Sequence, residues 1–209
     1  MDATQDRTAP GQIVILNGAP RSGKSSIARV IQDTFDGPWM NIGVDVAVRM
    51  TPERYRPGIG LRPGERGHRV ARMVPVLYAA LYESIAAHAR LGLNVVVDVG
   101  HHESNNAGVL AACARRLQGL PVLFVGVRCS LDEVLRRRSE GGPYLTATPD
   151  EPLPAPVRLW QEEVHRPGMY DLEVDTTDAR AEDCADLIRV RLRDGPPGTA
   201  FARLAGYAT

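Results

Sequence analysis

Gly18-Ala19-Pro20-Arg21-Ser22-Gly23-Lys24-Ser25 decides how the rest of this chain is read. The run matches G-x-x-x-x-G-K-[ST], and its flanks supply the context that gives the match weight. Before it, Gln12-Ile13-Val14-Ile15-Leu16-Asn17 is apolar and β-branched, as in a buried strand. After it, residues 24–31 open a helix with Ile27, Val30 and Ile31 on one side. Gly18 and Gly23 permit a tight turn that aims successive backbone N–H groups inward. The helix N-terminus adds positive potential where those groups converge. Such a cradle binds phosphate. Gly18, Ala19, Pro20, Arg21, Ser22, Gly23, Lys24, Ser25 and Ser26 are therefore expected to hold ATP. Lys24 is expected to reach the β- and γ-phosphates, and the Ser25 hydroxyl to join a Mg²⁺ ion.

Composition strengthens this reading. The 209 residues carry 25 basic and 25 acidic side chains, and Lys24 is the one lysine among the 25 bases. An arginine bias replaces lysine wherever a generic positive charge suffices. A lysine that survives marks a place where a compact ammonium is needed. The cancelled net charge argues against a nucleic-acid-coating or membrane-binding polybasic protein. With 44% hydrophobic and 24% charged residues, the chain has the composition of a folded globular domain. Residues 1–10 lack the apolar core of a signal peptide, and no apolar run approaches membrane-spanning length. Cys113, Cys129 and Cys184 are scattered without metal-ligand spacing, as expected for reduced thiols in a cytoplasmic protein.

Outward from the loop, strands alternate with helices. Residues 39–45 (WMNIGVD), 94–99 (NVVVDV), 121–129 (PVLFVGVRC) and 170–175 (YDLEVD) read as four more strands. Val70, Met73, Val74, Leu77, Tyr78, Leu81, Tyr82 and Ile85 form an apolar helical stripe, and Pro75 places that helix start just before it. Ser130 and Glu133 have capping-box spacing ahead of a helix through Arg138, and residues 181–193 form a last helix. The alternation predicts an α/β fold with a parallel sheet in a single domain over 1–209. Three segments interrupt it. Residues 49–72 form an arginine-rich, acceptor-binding insert, residues 137–157 a proline-rich lid, and the tail from 195 to 209 is expected to be poorly ordered.

Parallel α/β sheets bind ligands beyond the carboxyl ends of their strands. Asp45 and Asp98 both lie at predicted strand ends, on strands expected to flank the loop-bearing one. Asp45 is the candidate general base toward a substrate hydroxyl. Asp98 is the candidate metal-holding acid with Ser25, although the two roles are interchangeable at this level. Arg136, Arg137 and Arg138 end the capped helix. One turn cannot aim all three at one site, and Arg137 is the choice for meeting phosphate. The competing reading is a solvated face with favourable charge at a helix C-terminus. Arg49, Arg54, Arg56, Arg62, Arg66, Arg69 and Arg72, against Glu53 and Glu65, give the insert a local excess of five positive charges. It is either an anion-binding acceptor pocket or a solvated loop. His101 and His102 follow the third strand. Adjacent histidines point apart, which disfavours a metal site and leaves a substrate contact or a structural role. Asp175 reads as a turn or nucleotide-pocket residue.

Together these blocks resemble the chloramphenicol phosphotransferase-like family of P-loop kinases. The resemblance rests on Ile15-Leu16-Asn17-Gly18 with Gly23-Lys24-Ser25, Gly43-Val44-Asp45, Val96-Val97-Asp98, Val125-Gly126-Val127-Arg128-Cys129, Val164-His165 and Tyr170-Asp171 through Thr177. The blocks are collinear and cover most of the chain. The resemblance implies a nucleoside-monophosphate-kinase-like P-loop NTPase fold, with five parallel strands flanked by helices and a lid. It implies ATP-dependent phosphorylation of a hydroxyl on a small molecule, such as chloramphenicol or another antibiotic, and hence antibiotic resistance. It also implies Asp45 as base and Arg137 at the phosphates. The insert, the Val99-Gly100-His101-His102 exit and the lid depart from the family where the acceptor would sit. Two other readings stay open: a kinase of a phosphorylated metabolite or nucleotide, and a nucleotide-binding regulatory protein. The expected partner is a small hydroxylated acceptor, with no nucleic acid and no membrane; a homo-oligomer is compatible with the sequence.

Overall fold

The computed structural model describes residues 9–56, 70, 72–102, 108–140, 155–166 and 168–206. Five strands form one parallel sheet: β1 (Ile13–Asn17), β2 (Trp39–Asn41), β3 (Asn94–Val99), β4 (Val122–Arg128) and β5 (Leu172–Asp175). Their order across the sheet is β2-β3-β1-β4-β5. Every β1 residue is buried, because alternate side chains leave the strand on opposite faces and helices cover both. Ile13 and Ile15 pack with Val95, Val97 and Phe124 against α3 (Met73–Arg90), α4 (Val109–Arg116) and α8 (Ala200–Leu204). Val14 and Leu16 pack with Val96, Leu123 and Val125 against α1 (Lys24–Thr34) and α7 (Ala181–Asp194). Each such side chain contributes about 1.5–3 kcal/mol by leaving water. The β1 carboxyl end, which carries the phosphate-loop sequence, is thereby fixed between two layers of core. Among the described residues no helix is long and apolar enough to cross a membrane.

Several sequence expectations hold in detail. Pro75 lies in the first turn of α3, where no intrahelical N–H is required of it. Ser130 caps α5 (Leu131–Ser139) by accepting from the Glu133 N–H at 3.3 Å. The reciprocal half of the capping box is absent: Ser130 N–H donates to Thr177 Oγ1 at 2.8 Å instead. Glu133 is thus released to bind arginines.

Three expectations need correction. The second strand stops at Asn41, and residues 44–45 belong to α2 (Val44–Met50), capped by Gly43. Asp45 is therefore a first-turn helix acid that complements the helix dipole, not a strand terminus. Nor does β2 flank β1; β3 lies between them, because three residues of β2 pair with Asn94, Val95 and Val96. The tail is not loose over its described part. Asp171 caps α8 by accepting from the N–H groups of Thr199 at 2.7 Å and Ala200 at 3.0 Å. Phe201 then enters the core, stacked on Tyr82 and edge-on to Phe124. Gly- and Pro-rich composition suggested disorder; one buried aromatic and one capping carboxylate override it. Most of the arginine-rich insert and of the lid lies outside the described residues. The lid's described end begins α6 (Ala155–Glu163).

Candidate active site

The loop between β1 and α1 turns sharply. Arg21 has φ 69° and Gly23 φ 87°, both left-handed. For arginine that conformation costs on the order of 1–3 kcal/mol and recurs at ligand sites. A Cβ at Gly18 would approach Val127 O at 2.5 Å and Ser22 Oγ at 2.7 Å, so only glycine fits. The N-terminus of α1 has no side-chain cap and no acid in its first turn. By contrast α5 begins with Asp132 and Glu133, and α7 with Glu182 and Asp183. The positive end of α1 is left for an external anion. Lys24 Nζ donates to Ala19 O at 2.7 Å and lies 3.5 Å from Ser22 Oγ, so the ammonium folds back over its own loop.

Ser25 Oγ donates to Asp98 Oδ2 at 2.6 Å. Asp98 pairs in register with Leu16 on the adjacent strand, which brings the end of β3 beside the start of α1. Gly43 is the reason Asp98 has room: a Cβ there would overlap Asp98 Oδ1. Asp45 reaches the same cleft from the first turn of α2. The cleft has a volume of about 840 Å³, and Lys24, Ser25, Asp45, Asp98 and Arg137 all line it.

The three consecutive arginines separate as their helical spacing requires. Arg136 points outward and pairs with Glu133 and Glu140. Arg138 is buried. Arg137 faces the cleft, anchored through Nε to Glu133 Oε1 at 2.6 Å. Its Nη1 donates to Arg21 O at 3.3 Å and its Nη2 to Thr176 O at 2.6 Å. Hydrogen bonds from Arg136 and then from Arg137 pull the Glu133 carboxyl down to about 2.

His101, His102 and Asp175 are not among the described residues that line the cleft. His101 is buried; its ring nitrogen Nε2 meets Tyr82 O–H at 2.8 Å, and its N–H donates to Asn17 Oδ1 at 2.9 Å. Burial pushes its imidazole down to about 3, so it is neutral. His102 is buried as well. Asp175 accepts from Thr177 N–H and O–H in a turn, which pulls its carboxyl below the usual range. The three cysteines are buried free thiols, and burial raises all three.

The motifs at the ends of β4 and β5 form a clamp under the loop. Gly126 leaves space for the Tyr170 ring, which a Cβ would meet at 2.7 Å. Tyr170 O–H accepts from Asn17 Nδ2 at 2.9 Å, immediately before the loop. Arg128 pairs with Glu173 at 2.6 Å across the two strands. Sequence reasoning missed Thr176, which lines the cleft and binds the loop directly. The strand-end rule that drew attention to Asp175 was one residue short of it. Tyr78, Gly100 and Glu140 also line the cleft.

A five-stranded parallel sheet with this loop, a strand-end acid on the loop serine and a helix-borne arginine over it defines a P-loop kinase. The chain belongs to the chloramphenicol phosphotransferase-like protein family, whose model matches residues 11–193. A Mycobacterium tuberculosis (strain ATCC 25618 / H37Rv) relative named "Putative O-phosphotransferase Rv2636" is 28% identical over 210 residues, covering 93% of this chain and 88% of its own. The Deinococcus radiodurans tunicamycin resistance protein has a similar fold, with TM-score 0.58 at 16% identity, covering 88% of this chain and 96% of that one. A gluconokinase from Sinorhizobium meliloti 1021 superposes with TM-score 0.53 at 21% identity, covering 96% of each. The protein is a phosphotransferase of the kinase type, and its fold is that of the P-loop kinases.

Proposed function

We propose that the enzyme transfers the γ-phosphoryl group of ATP to a hydroxyl of a small molecule. The observation that carries this reading is that Asp45, Lys24 and the Ser25–Asp98 pair line one cleft. The acceptor oxygen attacks the γ-phosphorus, the bond to the β–γ bridging oxygen breaks, and ADP leaves. The hydroxyl proton passes to the Asp45 carboxylate, which also orients the oxygen. Lys24 and Arg137 neutralise charge on the transferring group, and the loop N–H groups hold the β-phosphate. Positioning and electrostatics carry most of such a reaction.

The donor set suits Mg²⁺. A hydroxyl and a carboxylate 2.6 Å apart are hard oxygen donors. No cluster of three His, Cys, Asp or Glu occurs among the described residues. A Mg²⁺ ion is commonly held by one or two protein oxygens together with phosphates and water. Ser25 and Asp98 would hold it, and it would supply neutralisation of phosphate charge.

The acceptor side of the cleft favours an uncharged hydroxylated molecule, such as chloramphenicol or another antibiotic, over a phosphorylated metabolite. We place the acceptor beside Asp45, where Val44, Tyr78, Asp98, Val99 and Gly100 also line the cleft. With Asp98 on the metal, the Asp45 carboxylate remains beside the acceptor and disfavours an anionic one. The test is incubation with γ-labelled ATP and a panel of chloramphenicol, other hydroxylated antibiotics, sugars and nucleotides. Acceptor-dependent transfer to an uncharged hydroxyl compound supports the reading. Transfer only to phosphorylated acceptors, or tight nucleotide binding without any transfer, overturns it.

A further inference from the structure

Thr176 follows β5 and is buried beneath the phosphate loop. Its Oγ1 donates to Ser22 O at 2.8 Å, inside the loop, and lies 3.2 Å from Arg128 O at the end of β4. The same oxygen accepts from Arg137 Nη1 at 3.2 Å. Its carbonyl accepts from Arg137 Nη2 at 2.6 Å, and its own N–H donates to Arg128 O at 3.0 Å. The γ-methyl lies 3.3 Å from where a Cβ at Gly23 would be. One side chain therefore ties together the loop, the β4 and β5 ends, and the arginine that faces the cleft.

The geometry points to Thr176 as a positioning residue for phosphoryl transfer. It sets the guanidinium of Arg137 in register with the loop before nucleotide arrives. This rests on the reading of Arg137 as the residue that meets phosphate. A hydroxyl is needed because the position demands a donor and an acceptor at once: Ser22 O needs the O–H, and Arg137 needs a lone pair. Valine has the shape of threonine and neither capacity. Arg137 held by Glu133, Arg21 O and Thr176 loses little further freedom when it binds an anion, which is the advantage of preorganisation. With the Thr176 oxygen gone, both partners can shift, and displacements of about 1 Å cost up to about 10²-fold in rate.

The test uses Thr176→Val, Thr176→Ala, Thr176→Ser, Arg137→Ala and the Thr176→Val/Arg137→Ala pair in the full chain. Initial rates with ATP and an identified acceptor give kcat and KM, and calorimetry gives ADP affinity. Thr176→Val and Thr176→Ala are expected to lower kcat/KM for ATP by about 10- to 100-fold. Thr176→Ser should restore it to within about threefold, because the oxygen returns without the methyl. On the Arg137→Ala background, Thr176→Val should cost less than about threefold, since the two act as one unit. The alanine variant keeps the test valid should the valine variant not fold. The inference is overturned if hydroxyl removal leaves kcat/KM within twofold of wild type. It is equally overturned if serine is as impaired as valine, or if the losses multiply in the double variant. If Arg137→Ala is itself fully active, the reading of Arg137 fails and this inference with it. A costly Arg137→Ala beside a neutral Thr176→Val removes only the inference.

Discussion

Ser25 Oγ donates to Asp98 Oδ2 at 2.6 Å, joining the first turn of α1 to the end of β3. This hydrogen bond links the phosphate loop to an acid of the cleft. It depends on a third residue, because the Asp98 side chain occupies the space where Gly43 would otherwise carry a Cβ. Asp98→Asn is expected to lower kcat by roughly 10²–10³-fold and to raise the Mg²⁺ concentration for half-maximal rate. Gly43→Ala should do much the same without touching a polar group, by forcing the carboxylate aside. Titrating Mg²⁺ at saturating ATP checks both, and an unchanged Mg²⁺ requirement in both variants counts against Asp98 as the metal-holding acid.

Asp45 enters the cleft from a helix start, so its carboxylate has two available roles. It can complement the dipole of α2, worth about 0.3–1 kcal/mol at an exposed position. It can also take the acceptor proton. Asp45→Asn separates them, because the amide keeps the shape and loses the basicity. The expected result is near-normal ADP affinity and thermal midpoint, with kcat down roughly 10²–10⁴-fold. Near-normal turnover would sink its role as base.

The phosphate-loop motif and the existence of five strands were legible because each rests on local spacing. What was not legible depends on which strands become neighbours. Asp45 looked like a strand terminus because Ile42-Gly43-Val44 continues an apolar run, yet Gly43 ends the extended segment and caps α2. The sequence cannot show that the Asp98 carboxylate needs Gly43's empty side. The same applies to the blocks around Gly126 and Tyr170. They read as a family signature, and the structure makes them a contact: a ring resting on a glycine, hydrogen-bonded to Asn17. Thr176 lies in the block that carries the family resemblance, but nothing local marks its role, since its hydrogen-bond partners are residues 22, 128 and 137. Phe201 is one of two aromatics in a Gly- and Pro-rich tail, and only its contacts with Tyr82 and Phe124 show where it goes.

Lys24 is the one lysine of the chain, and its Nζ lies 2.7 Å from Ala19 O within the loop. A compact ammonium can exchange that contact for phosphate by rotating about its flexible stem. A planar guanidinium is bulkier and aims its donors in a fixed fork. Lys24→Arg should therefore retain net charge and fold while losing about 10²-fold in kcat/KM for ATP. Steady-state rates and a thermal melt check this. A fully active arginine variant would show that codon bias alone explains the distribution of basic residues.

His101 makes the pH dependence of stability predictable in sign. Its imidazole is packed against Tyr78 and Tyr82, and burial holds it near 3, against about 6.5 in an unfolded chain. Below about 6.5 the unfolded chain therefore binds a proton that the folded chain refuses, and stability falls as pH falls toward about 3. Above about 6.5 neither state is charged, and the contribution of this group is flat. Between pH 7 and pH 5 the expected loss is about 2 kcal/mol from this residue. His165, held near 4 mainly by burial, adds a loss of the same sign. Comparison with His101→Gln isolates the first term, since His165 is common to both proteins. Urea unfolding at pH 7 and pH 5 should show the wild type losing about 2 kcal/mol more than the variant, even though the variant starts lower at pH 7. Equal losses in the two proteins would mean that His101 takes up its proton within the fold, and that its contacts with Tyr82 and Asn17 open at mildly acidic pH.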